Sequence, residues 1–305
     1  MINFPSQSNL RTLSRGNYLR ARIFIIISLF GTSVSFVQSS ENTGGFSIEK
    51  QTLREPRPLK CHVLKVDLQH PGIEVAVAVP ADPDGGGPAE SALMNPVDLA
   101  KQGQLLVALN ANAWGMIPAT SPGQRPTYKL GGHCDILGLA VADAVERSGP
   151  TPSSWSLWQD PDGRWHVDVF PAGQIAQQAI SGFGPLLKQG QVIAPESSIL
   201  HPRTAVGIDE NARQLVFVVV DGRQPGVSEG MSEQELADFL KNLGCWNALN
   251  LDGGGSSVLV KGPSPRILNN PSVGRSPRPV PVMIGVRALK NAPEALAKPA
   301  NSNHQ

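Results

Sequence analysis

The sequence predicts an α+β fold: a single domain with a mixed, mainly antiparallel β-sheet core, few helices and long Gly/Pro-rich loops. Three observations carry this. Short apolar runs, several of them alternating, recur along the chain with turn residues between them. One segment alone has a full helical signature with a stop at each end. The 31 Gly and 27 Pro among 305 residues punctuate the chain too often for a helical bundle. Charged residues make up 17% and the net charge is +1, which excludes a nucleic-acid binder recognisable from bulk charge and an acidic disordered tail.

The N-terminus carries Arg11, Arg15, Arg20 and Arg22, with no acidic residue before Glu41. An apolar run over 23–30 follows and continues, diluted by Gly and Ser, to Val37. A basic flank, a short apolar stretch and then small residues is the secretory pattern, and the run is short for a span of roughly 20 residues. Residues 1–40 therefore read as signal peptide and leader, which predicts an exported protein, periplasmic or extracellular, with no stable membrane span after cleavage. Residues 41–59 read as a linker, 60–290 as the domain and 291–305 as a disordered tail.

Within the domain, Val63, Leu64, Val66 and Leu68 lie in a first strand and Val75, Val77 and Val79 in a second, with a Pro71-Gly72 turn between them. A Gly-rich loop (82–88), a short helix (95–102), a buried strand (105–109), a mostly irregular stretch (112–132) and a strand (136–141) follow. Three hairpins come next: 155–158 with 165–169, 186–187 with 192–193, and 204–208 with 215–220. The helix spans 232–243. Ser232 and Glu235 make a capping box, Leu236, Phe239, Leu240 and Leu243 form one apolar face, and Gly244 stops it. Strands at 248–251, 258–260 and 282–286 complete the domain around a Pro-rich loop (262–279). Cys61, Cys134 and Cys245 are too few and too scattered for a zinc site. In an exported protein two of them can pair, but buried free thiols are the favoured reading.

The sharpest chemical feature is Asn250-Leu251-Asp252-Gly253-Gly254-Gly255-Ser256-Ser257. An apolar strand delivers a carboxylate, three glycines let backbone amides approach a ligand, and two hydroxyls follow. A carboxylate beside an anion nest suits phosphate binding with proton transfer. A plain turn between strands is the competing reading. Val220-Asp221-Gly222-Arg223 repeats the theme, and Arg is suited to bidentate phosphate contact. Arg203 opens a strand. Asn110 and Trp114 follow a buried strand, where an amide can bond sugar hydroxyls and a Trp can stack on a sugar face or pack in the core. Asp82-Pro83-Asp84-Gly85 resembles the start of a calcium loop, but its twelfth position is Leu93.

At these residues the chain resembles the phosphodiester glycosidase family, to which N-acetylglucosamine-1-phosphodiester α-N-acetylglucosaminidases belong. The matching stretches run in order: 62–68, 108–110, Ser181-Gly182-Phe183-Gly184-Pro185-Leu186, Pro202-Arg203-Thr204-Ala205-Val206-Gly207, Val220-Asp221-Gly222-Arg223, 228–240, 247–257, and 269–272 with Arg278. They cover most of 60–287. The resemblance implies hydrolysis of a glycosyl phosphodiester, releasing the sugar and leaving a phosphomonoester. It places Asp252 and Asp221 as the catalytic carboxylates, and Asn110, Arg203, Arg223, Asn250, Gly253, Gly254, Ser256 and Arg278 as substrate-binding residues. Where the family has Asn-Gly-Gly-Phe/Tyr, this chain has Asn110-Ala111-Asn112-Ala113-Trp114. An exported single-domain version fits a bacterial envelope protein whose partner is a glycan or sugar-phosphate diester, with no nucleic acid.

In this reading Arg203 and Arg223 neutralise the diester and the amides of 253–255 support it. One Asp aids the leaving group or water, and the other stabilises the cation or attacks. Either may instead orient a hydroxyl or hold a divalent ion, so no cofactor is required and a metal stays open. The alternative is a non-catalytic glycan- or phosphodiester-binding envelope protein. A serine hydrolase using Ser256 or Ser257 would need a histidine beside it.

Overall fold

The strand 214–220 reads Gln-Leu-Val-Phe-Val-Val-Val because both of its faces are covered. Leu215, Phe217 and Val219 point into the central core, while Val216, Val218 and Val220 point to the opposite face, where a helix lies. A computed structural model describes residues 37–289, apart from 120, 122, 123, 125, 126, 263, 264, 273 and 275. The signal sequence and the tail expected at the two ends lie outside the described residues, save that the strand Val37–Asn42 overlaps the expected leader.

An eight-stranded sheet runs in the order Val37–Asn42, Phe46–Leu53, Leu59–Asp67, Gln214–Val220, Arg203–Ile208, Asn247–Asn250, Gly184–Lys188, Gln191–Val192. A five-stranded sheet has the order Arg266–Ile267, Leu259–Lys261, Val107–Asn110, Met283–Ala288, Ile73–Ala78. A second comprises Val145–Ser148, Ala140–Ala142, Gln178–Ser181, Trp155–Gln159, Trp165–Val169. A small sheet joins Ser91–Ala92, His133–Ile136 and Trp114–Met116. Every ladder among the described strands is antiparallel, and the helices are few, as expected.

The main core lies where the eight-stranded sheet faces both five-stranded sheets. Leu64, Phe217, Val206 and Leu249 meet Val75, Leu109, Ile284, Leu157 and Ile180 there. Helix α2 (Glu233–Asn242) covers the outer face of the large sheet with Leu236, Ala237 and Leu240. Its predicted capping box is present, Ser232 Oγ accepting from the Glu235 amide and the Glu235 carboxylate from the Ser232 amide. Helix α1 (Pro96–Gln102) packs Leu99 and Ala100 on the outer face of the first five-stranded sheet. Cys61, Cys134 and Cys245 are buried free thiols, and burial pushes each up to about 12.

Two expectations change, those for 41–59 and for 136–141. Residues 41–59 are not a free linker: the strand Phe46–Leu53 pairs along its whole length with Leu59–Asp67 and buries Phe46 and Ile48 in the main core. Its alternating partners were masked in the sequence by polar residues on the solvent face. The turn at Pro71-Gly72 is present, and the strands on either side of it belong one to each facing sheet, so both apolar sets point into one core. The run 136–141 is split by Gly138, at φ +76°, between the small sheet and the second five-stranded sheet. The Asp82–Asp84 loop is no calcium loop: Asp82 accepts from the amides of Asp84, Gly85 and Gly86, and Asp84 from those of Gly87 and Ala89.

Closest packing between strands falls at Gly285, where an added Cβ would lie 2.0 Å from the Val107 carbonyl oxygen and 2.8 Å from Ala108 Cα. Gly285→Ala is expected to cost about 2–3 kcal/mol in urea unfolding, because backbone must move to admit it. Gly115→Ala, where a Cβ meets nothing within 4 Å, serves as the near-neutral control.

Candidate active site at the strand ends

The strand Asn247–Asn250 runs out of the large sheet into a segment that both sheets hold. The Leu251 amide donates to the Thr204 carbonyl at 2.9 Å, and the Asp252 amide donates to the Ala111 carbonyl at 3.0 Å. Asn110 fastens the junction. Its Nδ2 donates to the Asp252 carbonyl, and its Oδ1 accepts from Thr204 Oγ1 at 2.9 Å and from the Val258 amide at 3.1 Å. The side chain is 1% exposed, so the amide expected to bind substrate is instead spent on positioning the Asp252 loop.

Asp252 is half-buried. Burial pushes its carboxyl up to about 6, against the opposing pull of the Ser256 hydroxyl, the Arg278 charge and the Gly253 amide. Ser256 lies in a short 3-10 turn, Gly254–Ser256, and also accepts from Arg278 Nη1 at 3.4 Å. The guanidinium of Arg278 rests 4.4 Å over the ring of Tyr128, which in turn meets Trp114 edge-on at 5.7 Å. Arg278, Ser256, Asp252 and Gly253 thus form one contiguous group.

Arg223 approaches the same turn from the other side. It adopts φ +60°, and its guanidinium passes 3.2–3.5 Å from where a Cβ on Gly254 would stand. Gly254, at φ +61°, is required there on both counts. Arg223 Nη2 lies 3.2 Å from His201 Nδ1. Burial and then the Arg223 and Arg203 charges hold the His201 imidazole below its ordinary value, with Glu233 opposing. A neutral His201 accepts that hydrogen bond.

Other expected site residues have structural partners instead. Arg203 is 8% exposed, and its guanidinium donates to the Met231 carbonyl (2.9 Å), Glu233 Oε1 (3.1 Å) and the Ile199 carbonyl (3.3 Å). It holds the start of α2. Asp221 is 2% exposed; its Oδ1 accepts from Asn269 Nδ2 at 3.1 Å and the Asn270 amide at 2.9 Å, and its Oδ2 is 3.8 Å from His62 Nε2. The groups that act on the Asp252 carboxyl include no second acid. Asp221 reaches the site only through Asn269, which also donates to the Ser257 carbonyl at 3.1 Å. Asn250 is 4% exposed beneath the turn. The proposed nest is largely occupied: the Gly254 amide donates to the Pro202 carbonyl at 2.8 Å, and the Gly253 amide serves Asp252. Ser256 has Asp252 and Arg278 as partners rather than a histidine, so the arrangement is not that of a serine hydrolase.

Sequence reasoning passed over Tyr128 and gave Asn269 no role of its own. Only Asn269, inside the matched 269–272 stretch, carried any local signal. Among the described residues no group of three His, Cys, Asp or Glu side chains is placed to hold a metal ion. Two surface cavities of about 770 and 870 Å³ lie elsewhere, one lined by Glu74, Asp143 and Arg287, the other by Arg57, Ser197 and Glu235.

The site thus sets one carboxyl, shifted upward by burial, beside Arg278, with Arg223 across the glycine turn, on a layered antiparallel β fold. Residues 144–287 match the family model described as phosphodiester glycosidase. It is 34% identical over 101 residues to the cattle N-acetylglucosamine-1-phosphodiester alpha-N-acetylglucosaminidase, an alignment covering 27% of this chain and 19% of that enzyme. The match therefore spans about a fifth of the length of that curated relative. Among solved structures, a hypothetical protein from Synechocystis aligns with a TM-score of 0.58 at 16% identity, over 84% of this chain and 64% of that one. The zebrafish N-acetylglucosamine-1-phosphodiester alpha-N-acetylglucosaminidase catalytic domain, auto-inhibited by its pro-peptide, aligns with 0.55 at 23% identity, over 84% and 83%. These two likenesses show the fold.

The Asp252 carboxyl binds its proton more tightly in the folded chain, at about 6, than in the unfolded one, where about 3.9 is usual. Its ionisation therefore costs stability above pH 6, and the cost is absent below about pH 4. Asp252→Asn is expected to raise unfolding stability by up to ~2 kcal/mol at pH 7 and to leave it unchanged near pH 4, measured by urea titration at the two pH values.

Proposed function

We propose that this protein hydrolyses glycosyl phosphodiesters of the N-acetylglucosamine-1-phosphodiester type, releasing the sugar and leaving a phosphomonoester. The observation that carries the reading is the Asp252 carboxyl, poised near 6 and in contact with a serine hydroxyl that Arg278 also holds. A group with that value exchanges protons near neutrality, as acid–base catalysis needs. Arg278 and Arg223 flank the turn and bind the two non-bridging oxygens of the diester. Asp252 takes a proton from water as the water oxygen bonds to the anomeric carbon. The carbon–oxygen bond to phosphate breaks, and its electron pair leaves on the phosphate, whose charge the arginines stabilise.

Asp221 serves this reading from behind, by fixing Asn269 under Ser257, and Asn110 by fixing the Asp252 carbonyl. The basic, apolar N-terminus supports export, and the substrate is then an envelope or extracellular glycan. No helix among the described residues is long and apolar enough to cross a membrane.

The test is sugar release from N-acetylglucosamine-α-phosphoryl diesters. kcat/KM is expected to rise with pH through about 6 and then level, since the base must be ionised. Asp252→Asn should lose about 10²–10⁴-fold in kcat. Arg223→Lys, which keeps charge but not the planar fork, should lose about tenfold, mostly in KM. Tight binding of diesters without turnover by the parent protein would replace this reading with that of a binding protein.

A further inference from the structure

Arg278 differs from the other arginines of the site in how it is held. Arg203 has three protein acceptors, one of them a carboxylate, and Arg223 is tied to His201. Arg278 has one long hydrogen bond, 3.4 Å to Ser256 Oγ, and among the described residues no carboxylate partner. A half-buried guanidinium with most of its donors uncommitted is what an incoming phosphate requires. It also needs a restraint that does not compete for those donors. The Tyr128 ring supplies one: the guanidinium carbon stands 4.4 Å from its centroid, within the range of a cation–π contact. The ring is in turn buttressed by Trp114, which meets it at 76° and 5.7 Å from the strand Trp114–Met116. Among the described residues the Tyr128 hydroxyl makes no hydrogen bond, so the ring face is what this side chain offers.

We infer that Tyr128 is a positioning residue: its ring sets Arg278 against Ser256, so that one guanidinium faces the Asp252 carboxyl and the substrate phosphate while its N–H groups stay free. The residue stands in a loop between two of the strands of the small sheet, and Arg278 in the Pro-rich loop before the last strand. Neither loop is part of the sheet that presents Asp252. The Tyr128–Arg278 contact therefore joins two loops into one wall of the site. This inference deepens the proposed function and rests on it only for the phosphate; the relation among Tyr128, Arg278 and Asp252 stands on geometry alone.

The groups that face Asp252 are Arg278 from the Pro-rich loop and the Ser256 hydroxyl and Gly253 amide from its own turn; Arg223 and His201 lie across Gly254. Of these, Arg278 is the charge that lowers the Asp252 value, and moving it away must raise that value.

The experiment follows the Asp252 carboxyl by ¹³C NMR during a pH titration of the whole protein, the resonance being assigned by its absence in Asp252→Asn. Tyr128→Phe should titrate with the parent, because the ring face is kept. Tyr128→Leu should raise the apparent value by roughly 1, in the direction of Arg278→Gln. On diesters, Tyr128→Leu should lose about five- to tenfold in kcat/KM and carry its acid limb upward with the carboxyl, with Phe restoring both. A Tyr128→Leu protein whose Asp252 titrates like the parent's overturns the inference. So does a Tyr128→Phe protein shifted as far as the Leu variant. The carboxyl is read without turnover. A protein that shows the Tyr128 effect but cleaves no diester would therefore sink the proposed activity and leave this assignment standing.

Discussion

One carboxamide holds the two halves of the site together. Asn110 stands at the end of a strand in the five-stranded sheet. It bonds at once to the Asp252 carbonyl, to Thr204 near the start of an interior strand of the large sheet, and to the Val258 amide where the chain returns to its own sheet. A buried amide with its acceptor and a donor satisfied in three directions tolerates little displacement of any partner, because each broken bond leaves a polar group stranded out of water. The Asp252 loop is thereby referenced to both sheets. The apolar core beneath, from Leu109 and Ile284 across to Leu249 and Phe217, fixes the distance between those sheets. The geometry of the Asp252 loop is inherited from sheet packing through one side chain.

The charged residues around this staple divide by whether their bonding capacity is spent. Arg203 and Asp221 are each nearly buried and held by the protein, one by α2, the other through Oδ1 by the 269–270 turn. Burying such groups costs heavily unless the protein supplies every partner, and a group so supplied has little left for a ligand. Arg278, Arg223 and Asp252 are the remainder. They keep incomplete partner sets, and the proposed function therefore assigns the chemistry to them.

That division also marks the limit of what the chain could disclose as a sequence. The strand ends at Asp221 and Asp252, the three hairpins and the capped helix were all legible, because each rests on neighbours within a few residues: alternation, a turn tetrad, a Ser-x-x-Glu box. The glycine run after Asp252 likewise announced a tight loop. The fates of Asp221 and Arg203 were not legible, since Asn269 lies 48 residues from the first and Glu233 lies 30 from the second. Two Asp-Gly elements with the same local pattern were set to opposite uses by long-range contacts. The strand Phe46–Leu53 was missed for a related reason: its solvent face is polar, and only pairing with Leu59–Asp67 shows that Phe46 and Ile48 share an inner face. Tyr128 had no local pattern at all. Its role follows from a ring lying under an arginine far along the chain.

The Asp252 carboxyl sits between two opposed influences, and substrate alters both. In the free protein burial raises its value and the Arg278 charge lowers it, leaving it near 6. In the proposed function a bound phosphodiester would pair with Arg278, cancel that charge for its neighbours and add a negative charge of its own, while expelling water. All three effects favour the protonated acid. The value in the complex must then exceed the value in the free protein, so the acid limb of kcat stands at higher pH than that of kcat/KM. The same displacement identifies the role. A base loses activity as the complex is acidified through the higher value, whereas an acid that protonates the leaving phosphate would lose it on the alkaline side of the same value. A single carboxyl whose protonation follows occupancy of Arg278 thus couples binding to chemistry, and the direction of the limb separates the two mechanisms that the fold alone permits.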